Sequence, residues 1–347
     1  LKVILVLMEK IPAGQCIDLV GKISLLSVYS CLSRCSLFVG NDSGLMHIAA
    51  AVGTPLVALY GPSSPAYTPP LTDSKKILRK MEGYEKKREG DLDRGYHQSL
   101  LAIKPTEVIN ALEEIIFDCN QMAKDHDYFR LVGMNVSPDN SKVIYGTDTK
   151  SRRKYTLYVK NLVTGKVLDT KIKNTSGQSV WSSDNKNFFY VHKNSTNLRP
   201  EKVFRHNIEF PSSNDTLIFY EKDETYSVYL TKSKSSEYIF ICSYSTLTSE
   251  FQFIKSDEPE SSFILIQKRT KGLEYTVDQF GNHFYILNNK DGSFNYKISK
   301  TPITKPSSDN WIDLIMHRED VLIENMDIFK EYWVVTERNN GLTNLRV

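Results

Sequence analysis

The chain has 347 residues, of which 40% are apolar and 24% charged, and a net charge of +3. These totals are ordinary for globular protein and leave room for about two domains. So small a positive excess excludes the electrostatic footprint of a nucleic-acid binder, and no basic stripe with interleaved aromatics runs along the chain. The short clusters Lys86-Lys87-Arg88 and Arg152-Arg153-Lys154 read as solvated loop charge.

The opening Leu1–Met8 is apolar but too short to span a bilayer, and it lacks the basic start and small-residue cleavage site of a signal peptide. A first residue of Leu rather than Met reads as a cut through a longer protein. The five cysteines, Cys16, Cys31, Cys35, Cys119 and Cys242, include no C-x-x-C pair. Cys31 and Cys35 share a helical face with no histidine nearby, so a zinc site is not expected. Buried, reduced thiols in a cytoplasmic protein with no transmembrane segment are expected instead.

Up to about residue 117, helix-like and strand-like runs alternate. Leu25–Arg34 reads as helix, Ser36–Gly40 as strand, Leu45–Val52 as helix and Leu56–Tyr60 as strand. Pro105-Thr106-Glu107 opens a further helix that runs to Ile116. This order predicts a parallel sheet with covering helices over residues 1–117. The informative turn is Val39-Gly40-Asn41-Asp42-Ser43-Gly44-Leu45-Met46-His47. A strand ends there and a helix begins, so free backbone amides and a partial positive charge face the turn, a place suited to a diphosphate. Gly44 permits close approach. By itself Asp42 reads first as a helix cap, and His47 as a packed core histidine. The turn is not a G-x-S-x-G nucleophile elbow. A second loop, Gly61-Pro62-Ser63-Ser64-Pro65, follows the next strand at the edge where ligands bind in open α/β sheets.

After about residue 128 the texture becomes all-β. Asp139-Asn140-Ser141-Lys142-Val143-Ile144-Tyr145 returns as Asp184-Asn185-Lys186-Asn187-Phe188-Phe189-Tyr190. Looser copies stand at Ser236–Phe240, Gly281–Ile286 and Lys330–Val334. Second strands follow at Tyr155–Val159, Lys202–His206, Glu250–Ile254, Phe294–Ile298 and Thr343–Val347. A spacing of roughly 45–52 residues with several short strands per repeat predicts about five propeller blades over residues 118–347; a β-sandwich without repeats is the alternative. Histidines 126, 192, 206, 283 and 317 are scattered and read as loop or core residues.

The run Asn41–Ala51, then Pro55–Pro65 and Thr68-Pro69-Pro70-Leu71, resembles the C-terminal half of the lipopolysaccharide heptosyltransferase II family, glycosyltransferase family 9. Gly90-Asp91 and Gly95–Leu100 add to a likeness that covers roughly residues 16–116. It implies the Rossmann-like half of a GT-B fold that binds ADP-heptose. Backbone amides of Ser43, Gly44 and Leu45 would cradle the diphosphate. Asp42 and His47 would contact the sugar-nucleotide, and Ile23 would line the nucleoside pocket. The implied reaction is inverting transfer of heptose to the lipopolysaccharide inner core, with no cofactor and no essential metal. The acceptor and the general base belong to the family's other domain, so the unit is expected to bind ADP weakly and not to turn over.

The second piece resembles the propeller of oligopeptidase B, in the prolyl oligopeptidase family of serine peptidases. The likeness is collinear from about residue 113. It rests on Val136–Asn140, Asp148–Leu162, Val180–Lys186, Lys202–His206, Glu221–Thr225, Gly272–Tyr275 and His317-Arg318-Glu319, among others. It implies a propeller that screens peptides by size for a hydrolase domain cleaving after Lys or Arg. No catalytic residue transfers, and an incomplete propeller would expose sheet edges. Three readings follow: a glycosyltransferase piece with a passenger propeller, a peptidase piece with a passenger α/β unit, and a non-catalytic interaction module. The join falls near Glu113–Ile116 with no Gly-, Ser- or Pro-rich linker, so a recombined reading frame is among the expectations.

Overall fold

The computed structural model describes residues 19, 22–33, 35, 37–83, 98–117, 119–162 and 164–347, without the side chains of 113–116 and 120. The expectations at Leu1–Met8, Cys16, Lys86–Arg88, Gly90-Asp91 and residues 95–97 lie outside them. The chain divides into two units, Leu1–His126 and Asp127–Val347.

In the first unit, strands β1 (Phe38–Asn41), β2 (Leu56–Tyr60) and β3 (Lys75–Arg79) form a parallel sheet in that order, with Phe38 opposite Leu56 and Leu56 opposite Lys75. Helix α1 (Leu25–Leu32) begins at Ser24, whose hydroxyl accepts from the Ser27 amide at 3.2 Å. Helix α2 (Gly44–Ala51) crosses from β1 to β2. Its buried face, Met46, Ala49 and Ala50, packs on Leu56, Ala58 and Tyr60. The small alanines let the helix lie close to the sheet. Gly53, with φ +78°, ends the helix in the left-handed conformation that a side chain would strain. Helices α3 (Gln98–Leu101), α4 (Pro105–Ile116) and α5 (Cys119–Ala123) complete the described part. The thiol expectation needs correction. Among the described cysteines, Cys31 and Cys35 are exposed, Cys119 is half-buried and Cys242 is buried; no residue of α1 is fully buried, and Cys35 lies beyond its end.

The second unit is built of antiparallel sheets taken in chain order. The first blade comprises β4 (Arg130–Val136), β5 (Lys142–Asp148), β6 (Tyr155–Asn161) and the start of β7 (Val167–Trp181). The end of β7, β8 (Asn187–Lys193), β9 (Pro200–Asn207) and β10 (Thr216–Tyr220) form the second. The third holds β11 (Ser227–Lys232), β12 (Tyr238–Tyr244), β13 (Ser249–Lys255) and β14 (Ile264–Leu265). The fourth holds β15 (Tyr275–Phe280), β16 (His283–Asn288), β17 (Lys297–Pro302) and β18 (Ile312–Ile315). Strands β19 (Val321–Ile328), β20 (Trp333–Asn339) and β21 (Leu342–Arg346) make a three-stranded fifth. The strand expected at Phe294–Ile298 begins later, at Lys297. Its first residues are taken by a tight turn after Lys290–Gly292, with Tyr296 at φ +61°.

The packing explains the repeat. A separate hydrophobic core fills each space between successive blades. Phe188 and Tyr190 point into the core shared with Ile144 and Leu157, whereas Phe189 and Val191 of the same strand point into the core shared with Val228 and Ile239. A strand buried on both faces must read as continuously apolar, which is why β5, β8 and β12 follow their polar turns so sharply. Five sheets stacked face to face are a propeller-like arrangement, not the two layers of a sandwich. The turns leading into β5, β8, β12 and β16 each carry a left-handed residue: Asn140, Asn185, Ser236 and Gly281. Equivalent turns are tied across blades, since the Asp139 amide donates to Asn185 Oδ1 at 2.8 Å and the Lys234 amide to Asp278 Oδ1 at 2.9 Å.

A partly buried network ties blades two and three together. Arg269 donates to Glu221 Oε2 at 2.6 Å and to Glu250 Oε1 at 3.2 Å, and its guanidinium stacks on Tyr226. Burial opposes ionisation of Glu221. Hydrogen bonds from Arg269, Ser243 and the Asp223 amide outweigh it and hold the carboxyl below its ordinary value of 4.5. A depressed carboxylate contributes stability that is present above the unfolded value and is lost as pH falls through the folded one. Denaturant titrations should therefore show stability dropping below about pH 4.5, with a shallower slope in Glu221→Gln. An unchanged slope in the variant would exclude Glu221 from the acid transition.

Candidate functional site

The turn Asn41–His47 is positioned by the β1–α2 connection. The N-cap of α2 is Ser43, in extended conformation, and its hydroxyl makes no capping bond. Asp42 therefore does not cap the helix. Its Oδ2 accepts from the Thr68 hydroxyl at 3.1 Å, and its Oδ1 faces His47 Nε2 at 3.9 Å. His47 is not a core residue either, with 42% of its side chain exposed beside the turn.

Thr68 is itself held from behind. The buried Tyr60 hydroxyl donates to the Thr68 carbonyl and lies 3.8 Å from Met46 Sδ. Burial first, then the charge of Asp42, pushes the Tyr60 phenol above its ordinary value, so it stays a neutral donor. This chain of contacts runs from the sheet through the loop after β2 to the Asp42 carboxylate, leaving one carboxylate oxygen for a ligand.

Gly44 is the first residue of α2 and is exposed. Among the described residues, a Cβ there would meet no atom within 4 Å. Nothing within the described protein requires glycine at this position, so the space above it is open to an approaching group. Ser43, Gly44 and Leu45 are all exposed at this helix start. The structure thus brings Asp42, Ser43, Gly44, Leu45 and His47 onto one turn. Ile23 stands on a different segment, half-buried in the loop before α1. Sequence reading gave no role to Thr68 or Tyr60. Thr68 lies 26 residues from Asp42, and its contact with Asp42 is a product of the loop fold.

In the all-β unit, His206 Nδ1 lies 2.6 Å from Asp215 Oδ1, and the Tyr190 hydroxyl donates to Asp215 Oδ2 at 2.8 Å. His206 is fully buried against Phe188, so this group pins β9 to the turn before β10. Burial pushes the Cys242 thiol up to about 12, so it is not a nucleophile. Among the described residues no group of three or more His, Cys, Asp or Glu is placed to hold a metal. No described helix is long and apolar enough to cross a membrane.

The successive antiparallel blades define a propeller-like domain. Residues 91–347 match the family described as prolyl oligopeptidase, N-terminal beta-propeller domain. The chain belongs to that family. Residues 4–97 match glycosyltransferase family 9 (heptosyltransferase). Dipeptidyl aminopeptidase BI of Pseudoxanthomonas mexicana is 34% identical over 235 residues, 68% of this chain and 32% of that protein. Lipooligosaccharide heptosyltransferase 2 of Haemophilus influenzae is 51% identical over 102 residues, 29% of this chain and 30% of that protein. The structure of oligopeptidase B from Leishmania major superposes with a TM-score of 0.64 at 28% identity, covering 70% of this chain and 34% of that one. The chain thus spans about a third of the length of each of these proteins.

Proposed function

We propose that residues 1–117 form the nucleotide-sugar-binding half of a GT-B glycosyltransferase and hold ADP-heptose at the start of α2. Amides of Ser43, Gly44 and Leu45 take the diphosphate, where the helix end favours negative charge. Asp42 and His47 contact the sugar-nucleotide, and Ile23 lines the nucleoside side. The observation that carries this reading is the Asp42 carboxylate, held by Thr68 beside open space at Gly44. Glycosyl transfer also needs an acceptor hydroxyl deprotonated and held in line. We assign these six residues to binding and place the base and the lipopolysaccharide acceptor on the family's other domain. In calorimetry with ADP-heptose, Asp42→Ala should bind about tenfold more weakly, the loss expected for hydrogen bonds to a charged group. Equal affinity would remove Asp42 from the site.

A second reading is favoured by the match to the all-β unit. In it, residues 118–347 screen peptide substrates for a serine-hydrolase domain that cleaves after Lys or Arg. Docking of the chain onto a separately produced hydrolase domain supports this reading over the first. Both place the protein in the cytoplasm.

A further inference from the structure

A cavity of about 450 Å³ opens between the first three blades of the all-β unit. Arg130 from the start of β4, Arg153 from the β5–β6 turn and Lys193 from the end of β8 line it, with the rings of Tyr155, Tyr229 and Tyr244. No carboxylate is among its lining residues.

The cationic rim is built, not frayed. Asp148 is 2% exposed, and its two oxygens accept from the Lys150 amide at 2.9 Å and the Arg153 amide at 2.7 Å. That carboxylate shapes the Lys150–Lys154 arch, in which Ser151 and Arg153 adopt φ +56° and +52°. Its hydrogen bonds go to backbone amides, so the nearest buried negative charge is not paired with the Arg153 guanidinium. The Lys193 ammonium donates to the Arg153 carbonyl at 3.0 Å and Lys154 to the Ser195 carbonyl at 3.1 Å. Among the described residues Arg130, Arg153 and Lys193 form no ion pair. Burial, then the charges of Arg153 and Lys154, make the Lys193 ammonium harder to keep protonated. The nearby Glu201 is occupied by Arg199 and Lys202. Three cations sharing a recess repel one another, and an anion entering it relieves that repulsion while gaining charge-assisted hydrogen bonds.

The recess is far larger than an inorganic anion, and its other walls are phenol rings with Ser176, Gln178, Pro200 and Val228. Such walls suit a short chain carrying apolar side chains and amide groups behind its charge. We propose that this cavity binds the terminal carboxylate of a peptide. Arg130, Arg153 and Lys193 hold the carboxylate, and the tyrosines receive the last side chains. The inference rests on the geometry of the all-β unit alone and is independent of the ADP-heptose reading.

The test uses the full chain and acetyl-Gly-Phe-Leu, as the free acid and as the carboxamide, followed by calorimetry. The acid should bind at least about tenfold more tightly than the amide, and the difference should shrink as salt screens the cations. Arg153→Gln combined with Lys193→Gln should bring the acid to the amide's affinity and leave the amide unchanged. If the double variant melts early, Arg130→Gln, at an exposed side chain, should reduce the preference in the same direction. Equal binding of acid and amide overturns the proposal. So does inorganic phosphate competing as well as the peptide, which would make the recess a simple anion site.

Discussion

Gly133→Ala should lower the melting temperature of the all-β unit by roughly 10 °C or more. Gly133 has φ +66°, and a Cβ built on it would lie 1.9 Å from the Gly177 carbonyl oxygen. Gly177 has φ +86°, and its own Cβ would meet Val132 Cγ2 at 2.6 Å. Both glycines sit at breaks in strand register, one between Val132 and Asn135 on β4, the other between Thr175 and Ser179 on β7. The two irregularities face each other where the first two blades meet. Beside them Asn135 Nδ2 donates to the Ser179 carbonyl at 2.9 Å, and Trp181 Nε1 donates to the Asn135 carbonyl at 2.9 Å. An alanine must therefore accept a left-handed backbone and also push one strand off the other, together on the order of 3–5 kcal/mol. Thermal melting by circular dichroism measures this. A shift under about 2 °C would mean that the two strands can separate without loss.

Phe284→Ala should cost about 3–5 kcal/mol, the range for emptying a buried aromatic site. Phe284 is fully buried between the third and fourth blades. Its ring centroid lies 4.8 Å from that of Phe253, 5.8 Å from Phe240 and 5.9 Å from Tyr238, all near edge-to-face. Truncation removes three aromatic contacts at once and leaves a cavity that rigid strands on both sides cannot close. Urea unfolding gives the loss directly. Phe284→Leu, which keeps most of the volume, should recover the greater part. If alanine and leucine are equally tolerated, the interblade core is not packed as the structure shows.

Much of this was legible in the residues. The αL turns announced themselves as Asp-Asn and Gly-Asn steps ahead of apolar runs, because few residue types tolerate that backbone. Doubly buried strands such as Phe188–Val191 were visible as unbroken apolar stretches. Strand β3 was not seen, because Lys75–Arg79 is half-buried throughout and carries neither alternation nor an apolar run. The junction within β7 was also invisible. Val167–Trp181 is one strand of 15 residues that serves two blades, pairing with β6 up to Thr175 and with β8 from Thr175 on, with Gly177 in the register break. A single glycine does not disclose which neighbour the chain pairs with on either side of it.

The same divide runs through the sites. The turn from Asn41 to His47 is contiguous, and local geometry alone brings a helix end, a carboxylate and an imidazole together. Asp42's partner Thr68, and the Tyr60 that holds Thr68, depend on how the loop after β2 folds back. Arg153 read as part of a solvated basic cluster, because its neighbours in the cavity, Arg130 and Lys193, come from strands 23 and 40 residues away. The sequence by itself determined the two units, the blade repeat and the turn chemistry, since each is a short-range pattern of backbone preference and burial. Only the tertiary structure decided which charges share a recess and what holds each carboxylate, because those depend on the separation of side chains that no local periodicity encodes.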